Sequence, residues 1–231
     1  MKPPPIISGL FITAIAALPL WGQQGGARSI DEGSFTITVN GQRAGREDFS
    51  IAGTPTGRGT EYIARATIVM GDRRLSPAMQ ADSSGAPMTY QIQTRNASDQ
   101  EWWSGTISRG RVDARMRTAK GEARKEYIVT EGAIILDDDV FHQYYFVVSR
   151  AQTGSAAVVI PRRNTQLTLR IASAGADRVS IAGKELDATH YVLSEPSGIQ
   201  RDLWVDAQGR VLKVAIPSKG IVALRDDPPA A

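Results

Sequence analysis

Apolar and polar residues alternate with a period of two along most of this chain, and residues 109 to 117 show it most plainly. Arg109, Arg111, Asp113, Arg115 and Arg117 share one parity, and Gly110, Val112, Ala114 and Met116 share the other. That spacing describes a strand with one wet face and one apolar face. The same code recurs in Ser34–Val39, where Phe35, Ile37 and Val39 alternate with polar residues, and in Met88–Gln93 and Gln166–Ala172. Asn40-Gly41 follows the first of these runs. It is a strong hairpin signal, because both residues tolerate positive φ.

Read in order, the chain predicts strands over 34–39, 44–52, 61–70, 73–81, 88–93 and 101–107, a turn at 108–110 into the arginine-striped strand, and a strand over 123–130. The Gly- and Thr-rich stretch 53–60 reads as a loop, and Pro77 suggests an edge strand or a bulge. Trp102 and Trp103 fall on opposite faces of their strand. The rhythm then breaks. Val140, Phe141, Tyr144, Tyr145 and Val148 recur at helical spacing after Asp137-Asp138-Asp139, which predicts one helix near 138–152 with the carboxylates at its start. Strands resume over 157–160, 166–172, 179–181, 186–194, 199–205, 210–216 and 221–224. Turns every 8 to 12 residues or so fit an antiparallel sheet. The expectation is about fifteen strands in a single, strongly curved antiparallel sheet (a half-barrel) with one packed α-helix. Segment 137–155 is too short and too apolar to be a linker between two domains.

The N-terminus reads differently. Lys2 precedes an apolar run from Ile6 to Trp21, and small and polar residues follow to Ala27. This is the order of a signal peptide. The run is shorter than the roughly 20 residues of a membrane span. Residues 1–27 are therefore predicted to be a leader and 28–231 one β-rich domain, periplasmic or secreted, with no transmembrane span after the leader. An uncleaved anchor is the alternative.

Composition narrows the function. The chain has 231 residues, of which 42% are hydrophobic, so it can form a core without staples. It has no cysteine, which rules out disulfides, thiolate metal sites, a cysteine nucleophile and a lipid-modified cysteine. The formal charge is +3, too close to balance to drive nucleic-acid binding.

Candidate chemistry is sparse. His142 lies close after Asp137, Asp138 and Asp139, a set that offers oxygen and nitrogen ligands to a metal. Consecutive carboxylates ahead of a helix also form a solvated cap, and that is the reading taken, with no metal. His190 sits in a strand pattern; a catalytic triad needs partners that sequence spacing does not reveal, and no G-x-S-x-G elbow is present. Arg109, Arg111, Arg115, Arg117, Lys120, Arg124 and Lys125 form a basic stripe near Trp102 and Trp103, interrupted by Asp113, Glu122 and Glu126. It reads as a charged sheet face that blocks edge pairing, with an anionic lipid or envelope polymer as the alternative. Gly57-Arg58-Gly59 lacks the spacing of a phosphate loop. No catalytic, metal or cofactor residue is assigned.

Three stretches carry a resemblance. They are the opening hairpin Phe35–Gly45, the mid-chain helix, and the closing hairpin Asp202–Lys213 followed by Ile216-Pro217 and a last strand. Together they resemble a group of exported bacterial proteins of unknown function related to the Lol lipoprotein carrier and receptor fold, although that fold usually has more helix than this sequence offers. The resemblance implies a curved half-barrel and a surface for a lipid or other hydrophobic ligand, and it carries no catalytic residues. The expected function is an envelope protein that binds such a ligand on its concave face. A structural or protein-interaction role in the envelope without a ligand, and a hydrolase built on a histidine, are the alternatives.

Overall fold

A computed structural model describes residues 26–150 and 154–230. The predicted leader, apart from its last two residues, lies outside them. In chain order the strands are β1 (Arg28–Val39), β2 (Gln42–Thr56), β3 (Gly59–Met70), β4 (Arg73–Ala81), β5 (Pro87–Arg95), β6 (Gln100–Ser108), β7 (Arg111–Thr118) and β8 (Gly121–Ile128). A two-residue β9 (Ile134–Ile135) and a short helix α1 (Tyr144–Arg150) follow. Then come β10 (Gly154–Ile160), β11 (Thr165–Ile181), β12 (Lys184–Ser194), β13 (Gln200–Val205), β14 (Val211–Ile216) and β15 (Ile221–Arg225).

All fifteen strands form one sheet in the order β8-β7-β6-β5-β4-β3-β2-β1-β15-β14-β13-β12-β11-β10-β9. From β1 in the middle, the strands meander outward to β8. The chain then crosses to the opposite edge and meanders back until β15 pairs antiparallel with β1, Phe35 opposite Arg225 and Val39 opposite Ile221. The contact of β9 with β10 is parallel, because the segment carrying α1 joins the two strands as a crossover rather than a hairpin. The sheet is curved and open, as the alternation predicts, and it does not close into a barrel.

The odd-even code sends apolar side chains to one face. Phe35, Ile37, Ile51, Ile68, Leu75, Tyr90, Ile92, Val112, Leu193 and Leu203 are all buried there. Val112 and Ala114 are fully inside while Arg111 and Arg115 stay in water. Asn40 (φ 50°) and Gly41 (φ 78°) make the predicted tight turn between β1 and β2.

The crossing segment, residues 129–150, lies over this inner face as a strap. Ile134, Ile135, Val140, Phe141, Tyr144, Phe146 and Val147 are buried in the same core as the sheet side chains. Tyr62 on β3 meets Phe146 edge-on at 6.1 Å. Each large side chain buried this way contributes roughly 1.5–3 kcal/mol. Packing therefore holds the strap, since α1 is too short to be stable alone.

Several sequence expectations need correction. The helix runs over Tyr144–Arg150 rather than from 138, because Asp139 has φ 61° and breaks helical geometry ahead of it. The first turn closes with tight bonds from Tyr144, Tyr145 and Phe146 N–H to the carbonyls three residues back. The loop expected over 53–60 is mostly strand, with Thr54 opposite Glu61 and Pro55 opposite Thr60. Pro77 lies inside the sheet. It pairs with Ile92 on β5, while the ladder to β3 is interrupted between Arg65/Ala78 and Ile68/Leu75, where proline has no N–H to give. The runs 166–172 and 179–181 are one long strand, β11, bulged at Gly175.

Candidate functional site

The strap is tied down by charged groups placed at apolar parity. Glu47 on β2 shares its face with Phe49 and Ile51 and is fully buried. Its carboxylate accepts the backbone N–H of Phe141 at 2.7 Å, the N–H of His142 at 3.0 Å and the ring Nδ1–H of His142 at 2.5 Å. The imidazole stacks 6.0 Å from Phe49, which stacks in turn on Phe35. His142 Nε2 is buried without a partner. This histidine therefore anchors the strap and does not face the aspartates.

The three aspartates each take a different arginine. Asp137 accepts Arg162 Nε at 3.0 Å, Asp138 accepts Arg163 Nε and Nη2 at 2.5 and 2.6 Å, and Asp139 accepts Arg73 Nη2 at 2.6 Å. Arg162 and Arg163 come from the turn after β10 and Arg73 from β4, so the triplet fastens the strap to both halves of the sheet. The carboxylates are ion-pair partners rather than a helix cap. Among the described residues, no group of three or more His, Asp or Glu side chains is placed to hold a metal ion. Burial pushes the Asp137 carboxyl above its ordinary range, opposed by Arg162. Burial, with the Asp137 charge adding to it, raises the Tyr90 hydroxyl well above normal, so Tyr90 donates to Asp137 at 3.0 Å.

Further charged pairs are buried around the inner face. Arg225 on β15 grips Asp31 on β1 with two bonds at 2.8 and 3.1 Å, both side chains almost fully buried. Arg201 on β13 pairs with Glu195, and burial pushes the hydroxyl of Tyr144 on the strap to about 12, opposed by the Arg201 charge.

His190 lies on the outer face. Its Nε2 is 3.0 Å from Asp202, and its ring stacks 4.4 Å from Trp204. Trp204 donates to Asp177 at 2.7 Å and carries Lys213 over its other side at 4.3 Å. This is a cross-strand ladder over a small outer cluster of Val179, Ile181, Ala188 and Leu212. A carboxylate is within reach of each histidine, but His142 is sealed in the core, and neither histidine lines the cleft or the trough described next.

The basic stripe is partly neutralised across β7 and β8. Arg111 pairs with Glu126, Arg117 lies 4.0 Å from Glu122, and Arg124 pairs with Asp113. Glu122 sits directly opposite Arg117, while Asp113 faces Glu126 and reaches Arg124 diagonally, which suits a solvated edge protected by charge.

Two openings stand out. A trough of about 710 Å³ lies on the outer face of β2–β6, where Ser50, Thr67, Ser76 and Ala78 carry little side chain between Arg65, Gln91 and Trp102. Its side chains are those of the ordinary wet face. The second is a cleft of about 350 Å³ where β5–β7 face the turn at 161–164, beside the strap. Ile92, Trp103 and Met116, in register on three strands, form its apolar wall. Trp103 is only 4% exposed, yet its Nε1 has no partner. Its ring lies over Gly105, where a Cβ would come within 2.3 Å of it. Arg73, Arg117 and Arg162 bring positive charge to the cleft, and Asp99 and Glu101 bring negative charge. Sequence reasoning singled out Trp103 but missed Glu47, Arg73, Arg162, Arg201 and Arg225. For Glu47, Arg201 and Arg225 the signal was present as a charge on the apolar parity of a strand.

These observations define a mainly β protein built on one open, curved sheet with a strap across its inner face. Residues 98–224 match the family described as Domain of unknown function (DUF6134), and the chain belongs to that family. No curated protein matches the chain. It is similar to a DUF1089 family protein from Pseudomonas aeruginosa, known from a crystal structure, with 15% identity and a TM-score of 0.42 over 90% of this chain and 98% of that one.

Proposed function

We propose that this protein is an exported, non-enzymatic binding module that holds a small amphipathic ligand in the cleft beside Trp103. One observation carries the reading. The strap covers much of the apolar inner face but leaves Ile92, Trp103 and Met116 lining a cleft, and the Trp103 indole N–H is buried without a partner. The volume is at the low end of the roughly 300–1,000 Å³ of small-molecule sites, which suits a short acyl chain better than a long one. The charged-then-apolar leader and the sequence resemblance to lipoprotein carriers support an envelope setting. No helix among the described residues is long and apolar enough to cross a membrane.

A second reading has its own support. The strap fills most of the concave face, as it would in a structural or partner-binding protein that carries no ligand. Native mass spectrometry of protein purified without detergent separates the two. A co-purifying amphiphile, or an adduct formed with added decanoate, supports the binding module. Bare protein in both experiments overturns it.

A further inference from the structure

The arginines around the cleft are not equivalent. Arg162 is held by Asp137 and by the carbonyl of Asp138, and Asp137 is itself fully buried against Tyr90. Arg117 stands 4.0 Å from Glu122 on the exposed edge hairpin. Arg73 differs from both. It makes one ion pair, Nη2 to Asp139 at 2.6 Å; its side chain is 37% exposed, and its Nε is buried without a partner. A guanidinium offers five N–H donors and matches carboxylate or phosphate with two parallel bonds. Here that capacity is mostly unused.

Asp139 is the weaker partner. It sits at the bend where the strap has φ 61°, is partly exposed, and touches Arg73 through one oxygen. Its carboxylate occupies the place that an incoming anion would take. The acids of the cleft, Asp99 and Glu101, belong to the β5–β6 connection and the start of β6, and Asp99 caps its own turn by accepting Gln100 N–H at 2.8 Å.

We infer that Arg73 is the head-group site of the cleft: it takes the carboxylate or phosphate of an amphiphile in exchange for Asp139, while the tail lies along Ile92, Trp103 and Met116. This rests on the binding function proposed above and adds the charge of the ligand to it. The strap's own aspartate then acts as an internal competitor that lowers affinity for anions.

The test is a calorimetric titration of the purified full-length protein with decanoate, decyl phosphate and decanol. Wild type is expected to bind one or both anions more tightly than decanol, and the stronger of the two identifies the head group. Arg73→Gln should weaken anion binding about tenfold, the worth of a charge-assisted hydrogen bond, and leave decanol unchanged. Asp139→Asn should strengthen anion binding several-fold, because it removes the competitor. That gain of affinity is not produced by a variant that merely folds poorly. Equal binding of anions and decanol, with neither variant altering the difference, overturns the head-group inference and leaves the binding module standing. So does an Arg73→Gln loss that is as large for decanol as for decanoate. Failure of all three probes to bind overturns both.

Discussion

Removing the Glu47 carboxylate is the sharpest perturbation of the strap. The residue is fully buried and accepts two backbone N–H groups and the His142 ring, at 2.7, 3.0 and 2.5 Å. Glu47→Ala leaves three donors in the core with nothing to accept them. Each unmet buried donor costs about 1–3 kcal/mol, so the expected loss is about 3 kcal/mol or more. That is a large part of the roughly 5–15 kcal/mol that keeps a typical domain folded. Glu47→Gln keeps the volume but has a single acceptor oxygen. Its amide nitrogen must face one of the N–H groups, so the expected loss is about 1–3 kcal/mol. His142→Phe keeps the ring that stacks on Phe49 and removes only the Nδ1 donor; it should cost less than Glu47→Gln. Urea unfolding followed by circular dichroism and tryptophan fluorescence measures all three. A Glu47→Ala change inside about 0.5 kcal/mol, the range of ordinary surface substitutions, would refute the reasoning.

Other outcomes follow from the same geometry. Asp226 accepts Thr36 Oγ1 at 2.6 Å and Ser34 Oγ at 2.8 Å and pairs with Arg46; burial works to raise its carboxyl, but these partners outweigh it and hold it below the ordinary value of 3.8. Its contribution is therefore present above the unfolded value and lost as pH falls through the folded one. Asp226→Asn should cost about 1–3 kcal/mol at neutral pH, with the difference from wild type shrinking in acid below about pH 4 in pH-dependent urea unfolding. Arg225→Ala strands the Asp31 carboxyl, which burial already raises, at the β1–β15 seam; a loss of about 3–5 kcal/mol is expected by denaturant titration. Gly105→Ala places a methyl 2.3 Å from the Trp103 ring and should displace the indole, at about 1–3 kcal/mol, with a shifted emission spectrum of the folded protein.

The sheet was largely legible in the sequence because period-two alternation and Asn-Gly or Gly-bearing turns are local signals. The turn at 108–110, the arginine-striped strand after it and the hairpin at Asn40-Gly41 fell where the pattern put them. The strap was half legible. Its apolar spacing was visible, but Asp139 breaks the helix by adopting positive φ, and its three carboxylates find arginines from 25 to 66 residues away. No local rule reports such pairs. Glu47, Arg201 and Arg225 were readable in principle, since each is a charge on the parity of the core, and a buried charge demands a partner. The cleft was not readable. It exists because the crossover brings the turn after β10 opposite β5–β7, a consequence of the return to the far edge of the sheet rather than of any motif.

A binding module of this kind must accept an amphiphile in the opening beside Trp103. The most direct measurement is an NMR titration of the ¹⁵N-labelled protein with decanoate, followed at the tryptophan indole N–H signals. The Trp103 signal, with that of its neighbour Trp102, should move and saturate while Trp204 on the outer face stays still. Indole signals that do not move, or Trp204 moving in place of Trp103, would contradict the binding module.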